Sequence, residues 1–146
     1  MSRFTTSIII RRPIEDVFEV LTNVENTGRW FPGNVEEHWT SPPPRGVGAT
    51  RHATIRMYGR VTENDAIVTE YDPPNRAVMR VAIPSATADV ALDFAGVDAG
   101  TRVMTTFNMA LRGAMRLTGP PFAWWYRGRW TKGLENLQRM MEAGEL

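Results

Sequence analysis

The sequence predicts an α+β fold in which a curved antiparallel sheet of about seven strands wraps around a long C-terminal helix, with one or two short helices after strand 1. Three observations predict it. An isoleucine-rich strand pattern near the N-terminus runs directly into a helix start. Between residues 49 and 111, apolar residues recur at every second position in several segments separated by turns. A long amphipathic helix pattern ends the chain, and no other predicted element is long enough to cover one face of that sheet.

The composition is typical of a soluble globular protein. The 146 residues match the commonest size of one domain, so we expect a single domain over residues 1–146. Apolar residues make up 42% of the chain and charged residues 23%, which argues against disorder. The sequence has neither an apolar run of membrane-spanning length nor a signal-peptide pattern, which predicts a cytoplasmic location. The absence of cysteine excludes disulfides, a thiolate nucleophile and cysteine-based zinc sites.

The overall charge argues against a nucleic-acid partner. Seventeen basic and 16 acidic residues leave a net charge of +1, too small for a field that would attract a polyanion. The charge is uneven along the chain, because residues 112–132 contain five basic residues and no acid, whereas residues 15–37 contain six acids and one basic residue. The simplest interpretation is two solvated faces of opposite sign.

The first strand is predicted over residues 4–12, and Pro13 ends it. Proline in the first turn followed by two acids is typical of a helix start. The apolar residues that follow repeat with helical spacing on one face, at Ile14, Val17, Phe18 and Leu21. Residues 23–28 break this helix.

The remaining strands follow from turn residues and alternation. An aromatic turn over residues 28–33 and a proline-rich loop over residues 41–46 leave room for one short strand between them, at residues 35–40. Period-two alternation then predicts strands through the segments 53–57, 79–83, 88–94 and 103–111, and residues 61–71 form a further strand. After the Pro120-Pro121 pair a helix begins, whose apolar stripe is Ala123, Tyr126, Trp130, Leu134, Leu137 and Met141.

Several segments, taken together, resemble a known family. They are SIIIRRPIEDVFEVLTNVENTGRWFPG near the start, IVTEYDPPNRAVMRV in the middle, GTRVMTTFNM late in the chain and the final amphipathic helix. In order and content the chain resembles the START-like superfamily, also called SRPBCC, and within it the polyketide cyclase/dehydrase and lipid-transport family. The resemblance implies a helix-grip fold with a deep cavity between the sheet and the long helix, used for hydrophobic ligands. It implies no fixed catalytic motif, because family members place different polar residues in the cavity.

A set of apolar and aromatic residues is predicted to line this cavity. They come from the turn after the first helix, the inward positions of the strands and the final helix. Small and methionine side chains nearby favour an adaptable wall around a hollow of roughly 300 Å³ or more, the usual size of a ligand pocket. The predicted lining residues are Trp30, Phe31, Trp39, Ile55, Met57, Met79, Val81, Leu92, Phe94, Phe107, Met109, Tyr126 and Trp130.

The polar residues give weaker signals. His38 and His52 are the only imidazoles and lie 14 positions apart without a helical pair, so we expect no metal site and no cofactor. Strand alternation predicts that Arg56 and Arg80 point outward. At a bulge, however, either one would become a buried cation able to orient a ligand carbonyl or enolate. Asp89, Asp93 and Glu70 are likewise expected on the outer face.

Three functions remain open. The first is the binding of a lipid, isoprenoid or polyketide-like ligand for carriage or presentation. The second is a polyketide cyclase or dehydratase acting by general acid/base chemistry, and the third is a protein-interaction adaptor. An enzyme needs an inward titratable group with a perturbed pKa and a hydrogen-bonded partner. The sequence offers no clear example, which places ligand binding first and leaves the catalytic residues unassigned.

Two tryptophans at the start of the last helix fall away from its apolar stripe. Trp124 and Trp125 neighbour Arg127 and Arg129, an aromatic and basic surround suited to a membrane surface or a protein partner, including a second copy of the chain. Alternatively, the loop before the helix covers them, because large exposed apolar patches are uncommon on monomers. Our hypothesis is that at least one of the two stays accessible.

Overall fold

A single antiparallel sheet grips the C-terminal helix. The computed structural model describes residues 2–57, 59–83, 86–111, 117 and 119–146, without the side chains of residues 2, 57, 83, 111 and 119–123. Within that description the elements are β1 (Ser2–Ile10), α1 (Ile14–Thr22), a 3₁₀ turn (Val24–Asn26), α2 (Thr27–Trp30), β2 (Asn34–Trp39), β3 (Thr50–Met57), β4 (Arg60–Asp72), β5 (Arg76–Ile83), β6 (Ala86–Val97), β7 (Gly100–Leu111) and α3 (Gly119–Glu142). The predicted fold class is confirmed.

The sheet has the order β1-β7-β6-β5-β4-β3-β2, so each strand from β2 to β6 pairs with the next one along the chain, and β7 also pairs with β1. The register is continuous except at two bulges, one in β2 between Asn34 and Glu36 and one in β4 between Val68 and Glu70. A bulge adds one residue and reverses the facing of the residues after it. The bulge in β4 therefore brings Tyr71 to the same concave face as Val68.

The first helix forms as its sequence predicts. Pro13 occupies the N-cap position, and Glu15 and Asp16 lie in the first turn, where negative charge complements the helix dipole. The helix ends at Thr22. Asn23 then begins the 3₁₀ turn, and its side-chain oxygen accepts a hydrogen bond from the Glu25 backbone nitrogen at 3.2 Å. The apolar face is buried through Val17, Phe18 and Leu21.

Helix α3 packs its apolar stripe into the concave side of the sheet. Leu134, Leu137 and Met141 are almost fully buried and share one core with Val103 and Phe107 of β7. The helix passes close to the turn after α2 at Gly133, where a Cβ atom would lie 3.0 Å from Phe31 Cδ2. A larger residue at this position would require the Phe31 ring to shift by a few tenths of an ångström.

The C-terminal end of α3 is tied to β1 and the turn that follows it. The Arg12 guanidinium donates from Nη1 to the carbonyl oxygens of Met141 at 2.9 Å and Leu146 at 3.1 Å. A cation at this end of a helix also complements the helix dipole. Gln138 donates from Nε2 to the Ile9 carbonyl oxygen at 2.7 Å. Within the described ranges, none of the helices has the length and apolar character that crossing a membrane requires.

The outer face of the sheet carries paired charges. Arg80 lies opposite Asp89 in the register, with 3.0 Å between Arg80 Nε and Asp89 Oδ1. Arg76 contacts both Asp93 and Glu70 at 2.7 Å. Arg56 is also exposed. The outward placement predicted for Arg56, Arg80, Asp89, Asp93 and Glu70 is confirmed.

Two tryptophans of α3 provide a matched test of this packing. The Trp130 side chain is 8% exposed inside the core, whereas Trp124 is 78% exposed. We expect Trp130→Ala to lower the free energy of unfolding by about 3–5 kcal/mol, because it removes a large buried side chain and leaves a cavity. Trp124→Ala should change it by no more than about 0.5 kcal/mol. Urea denaturation measures both, and equal losses would contradict the packing of α3.

Candidate ligand-binding site

A cavity of about 170 Å³ lies between the concave face of the sheet and the helices α2 and α3. Strands β2 to β7 form one wall, and the 3₁₀ turn, α2 and α3 form the other. The wall is mostly apolar, as is usual for a small-molecule site. The predicted lining residues that the structure places in this wall are Trp30, Phe31, Trp39, Ile55, Met79, Val81, Leu92, Phe107, Met109, Tyr126 and Trp130. That they contact a ligand stays a prediction.

Two predicted lining residues are not placed there. Phe94 is 5% exposed, and its ring packs edge-on against Phe18 with 5.0 Å between centroids, so it belongs to the core beyond the cavity. The side chain of Met57 lies outside the described residues. The structure also adds lining residues that the periodicity did not indicate, at the end of α1, in the 3₁₀ turn, after the bulge of β4 and at the start of β5: Leu21, Thr22, Val24, Tyr71, Ala77 and Val78.

The cavity is smaller than the roughly 300 Å³ expected from the composition. Aromatic side chains fill the space beside the helix. The Trp130 ring lies 5.2 Å from Phe107, 5.5 Å from Trp30 and 5.7 Å from Phe31, measured between centroids. The Tyr126 ring lies 5.2 Å from Phe107. We call these five residues the aromatic cluster. Because their rings interlock, the space that remains lies against the sheet.

A polar cluster is buried within the apolar wall. Arg51 of β3 lies diagonally between Glu37 of β2 and Asn64 of β4 in the sheet register. Arg51 Nε is 3.1 Å from Glu37 Oε2, and both side chains are 8% exposed. Arg51 Nη1 donates to both the side-chain and the backbone oxygen of Asn64. Asn34 Nδ2 donates to Glu37 Oε1 at 2.8 Å. All four residues line the cavity.

Sequence reasoning missed this cluster, although the signal was present. Arg51 has the same strand parity as Ala53 and Ile55, which are predicted to face inward. Glu37 has the same parity as Trp39, another predicted lining residue. Extending the inward pattern of either strand by two residues toward the N-terminus places a charged residue, Arg51 or Glu37, on the inward face. The buried cation of this wall is therefore Arg51, rather than Arg56 or Arg80.

The surroundings of Glu37 have opposing effects on its pKa. Burial raises the pKa of Glu37, while the Arg51 charge and hydrogen bonds from Asn34 and Thr27 lower it, with burial the largest effect. Burial also raises the pKa of the Tyr126 hydroxyl to about 12; the Glu37 charge raises it further, and the charges of Arg51 and Arg129 lower it, each by less than burial raises it. Tyr126 is therefore a neutral phenol at physiological pH.

Hydrogen-bond donors outnumber acceptors among the unpaired polar atoms of the wall. Within the described residues, no acceptor lies within reach of the indole nitrogens of Trp30, Trp39 and Trp130. Arg51 Nε forms an ion pair with Glu37 but no hydrogen bond, and Arg51 Nη2 has no hydrogen-bond acceptor in that part of the chain. Among the fully buried side-chain atoms of the described wall, one acceptor, Asn34 Oδ1, is unpaired. An occupant with acceptor atoms would complement this wall.

The two histidines lie on the outer face of the sheet, away from the cavity. His52 Nδ1 is 2.8 Å from Asp65 Oδ1 and its Nε2 is 3.3 Å from Glu63 Oε1. These hydrogen bonds raise the pKa of His52. The centroid of the His38 ring lies 5.9 Å from that of the His52 ring. In the portion of the chain that is described, no three histidine or carboxylate side chains are placed to hold a metal ion.

The two tryptophans at the start of α3 differ. Trp124 is exposed, as the sequence predicts for at least one of them. Trp125 is partly buried, and the Arg129 guanidinium lies 5.0 Å from its ring centroid. Arg129 also donates to the carbonyl oxygens of Pro32 and Arg56, which ties the middle of α3 to the turn after α2 and to β3. Contact of this surface with a membrane, a protein or a second copy of the chain stays a prediction.

The family model for polyketide cyclase/dehydrase and lipid transport matches residues 1–142. The chain belongs to this family. No curated protein matches it significantly. Among solved structures, a protein from Thermus thermophilus has a TM-score of 0.83 at 15% identity, covering 99% of this chain and 100% of that one. The ZhuI aromatase/cyclase from a Streptomyces species has a TM-score of 0.83 at 14% identity, covering 97% of this chain and 93% of that one. At these identities the likeness shows that this family member has the same fold.

The buried carboxyl group of this family member predicts a pH dependence of stability. Because the pKa of Glu37 is raised in the folded state, its contribution to stability is complete below the ordinary pKa of 4.5 and is lost as the pH rises through its folded-state pKa. Relative to Glu37→Gln, the wild-type free energy of unfolding should fall with rising pH in that window, by up to about 1.4 kcal/mol per pH unit.

Urea denaturation over a range from about pH 4 to about pH 9 measures this difference. Glu36→Gln is the matched control, because it removes a carboxylate from the exposed face of the same strand. If both variants give curves of the same shape, the burial of Glu37 does not perturb its titration.

Proposed function

We propose that this protein binds a small hydrophobic ligand, of lipid, isoprenoid or polyketide-like character, in the cavity between the sheet and α3, and carries or presents it. The observation that carries this proposal is an apolar cavity inside the fold whose described wall contains one compact polar cluster. A wall of this kind gives affinity through its apolar surface and orientation through its few polar groups.

The volume limits what the observed state accepts. An apolar cavity of about 150 Å³ holds a benzene molecule, so 170 Å³ accommodates one ring or a short branched chain. A longer ligand requires the wall to move. Met79 and Met109 lie in the wall, and unbranched methionine side chains change rotamer at little cost.

Filling the cavity should abolish binding. Toluene at about a hundred times its dissociation constant should stabilise the wild type by about 2.7 kcal/mol, which raises the melting temperature by several degrees. Ala88→Leu places a larger side chain in the cavity wall and should remove this shift. Differential scanning fluorimetry measures it, and mass spectrometry of the native protein identifies what co-purifies.

Ala95→Leu is the matched control, since Ala95 belongs to the same strand and is exposed. This variant should keep the full shift. An equal shift in Ala88→Leu would show that the probe binds outside the cavity and would contradict the proposal.

A second candidate is a cyclase or dehydratase. Glu37 is an inward titratable group with a raised pKa and hydrogen-bonded partners, which is the feature that catalysis requires. In such a reaction, Glu37 would take a proton from the carbon next to a ketone held by Arg51. The resulting enolate carbon would attack a second ketone, whose oxygen takes a proton in turn. The volume places this candidate second, because a polyketone long enough to cyclise exceeds one ring. Conversion of a linear triketone by the wild type but not by Glu37→Gln would favour it, and no conversion would reject it.

A further inference from the structure

The opposite charges in the polar cluster affect which ligands the cavity can bind. Arg51 supplies one positive charge and Glu37 one negative charge, 3.1 Å apart and both buried. The Glu37 carboxylate also accepts a hydrogen bond from Asn34 Nδ2 at 2.8 Å, so each of its two oxygens has a polar partner. The cluster as a whole is therefore close to neutral, and it has no charge left to compensate a second anion.

The cluster nevertheless has a hydrogen bond to offer. Arg51 Nε faces Glu37 and Nη1 is bonded to Asn64, while Nη2 has no acceptor among the described residues. Arg51 lines the cavity, where a guanidinium N–H retains its donor strength because little water competes for it. The unpaired indole groups of the wall add further donors.

We propose that the cavity selects neutral ligands with a carbonyl acceptor, such as a ketone, ester or amide, over free carboxylates and over hydrocarbons of the same shape. This inference rests on the proposed function, since it assigns a chemical class to the ligand of that cavity. Arg51 Nη2 donates to the carbonyl oxygen. Glu37 excludes a carboxylate, because two anions would share one buried cation in a medium where like charges repel strongly.

Arg129, the neighbouring cation, does not change the net charge of the polar cluster. Arg129 donates from Nε to the Pro32 carbonyl oxygen at 3.2 Å and from Nη2 to the Arg56 carbonyl oxygen at 3.2 Å. Its guanidinium is held at the end of the sheet by these carbonyls and stacks on Trp125. Arg129 is not in the described cavity wall, whereas Arg51 and Glu37 both are.

Three probes with the same number of non-hydrogen atoms test the selection. They are acetophenone, which is a neutral ketone; benzoate, which is an anion; and α-methylstyrene, which has a methylene group in place of the ketone oxygen. Dissociation constants come from NMR chemical-shift titration at neutral pH. We expect acetophenone to bind at least about tenfold more tightly than either of the other two, a difference of about 1.4 kcal/mol.

Variants assign the selection to its residues. Glu37→Gln keeps the shape of the side chain and leaves the Arg51 charge uncompensated, so benzoate should gain at least about tenfold in affinity. Glu36→Gln, on the exposed face, should change nothing. Arg51→Met combined with Glu37→Gln leaves no unpaired buried charge, so it avoids the folding penalty of a lone ion. In this double variant acetophenone should bind no better than α-methylstyrene.

The outcomes distinguish a failure of the carbonyl selection from a failure of the proposed ligand-binding function. If no probe binds the wild type, the proposed function fails and this inference fails with it. If all three bind equally, the cavity is a ligand site and the charge selection is wrong. Tightest binding of benzoate by the wild type, or unchanged benzoate affinity in Glu37→Gln, would also overturn the role given to Glu37.

Discussion

The fold depends on the contact between one helix and the concave face of one sheet, and aromatic rings make much of that contact. Trp130 is the centre of the aromatic cluster, because its ring centroid lies between 5.2 and 5.7 Å from those of Trp30, Phe31 and Phe107. Large rings bury much apolar area and hold one another in tilted and edge-on geometries. The cluster holds α3 against the sheet at its middle. Arg12 fixes its C-terminal end, and Arg129, next to Trp130, ties its middle to Pro32 and Arg56.

The same cluster determines where empty space remains. The cavity lies between these rings and the concave face formed by β2 to β7. Its polar cluster lies on β2, β3 and β4. The bulge in β4 contributes by turning Tyr71 inward at the end of the strand. The helix-to-sheet contact and the cavity beside it are thus two results of one packing arrangement.

Much of the fold could be predicted from local patterns, because each element has one apolar face. Helix α1 follows from Pro13 and the spacing of Val17, Phe18 and Leu21, and α3 follows from the stripe through Trp130. The cavity wall could be predicted wherever apolar residues alternate. The polar cluster could not be predicted in this way, because alternation identifies apolar residues as inward and treats charged ones as breaks in the pattern. Arg51 and Glu37 keep the parity of their strands and differ from their neighbours only in chemistry. The cavity volume could not be predicted either, because it depends on how aromatic rings pack together across elements that are distant in sequence.

The buried pair also bears on why such residues occupy an inward position. A buried ion pair loses its hydration, and apolar residues of similar volume at the same positions are often at least as stabilising. Glu37 illustrates this cost, because burial raises its pKa despite the adjacent Arg51 charge. Stability therefore gives little reason to place these two residues in an otherwise apolar wall. Sites at which a sequence departs from the rules of packing are expected to be functional sites. In this chain the departure occurs in the cavity wall, where Glu37 and Arg51 supply the charge and hydrogen bonds that the apolar residues around them cannot supply.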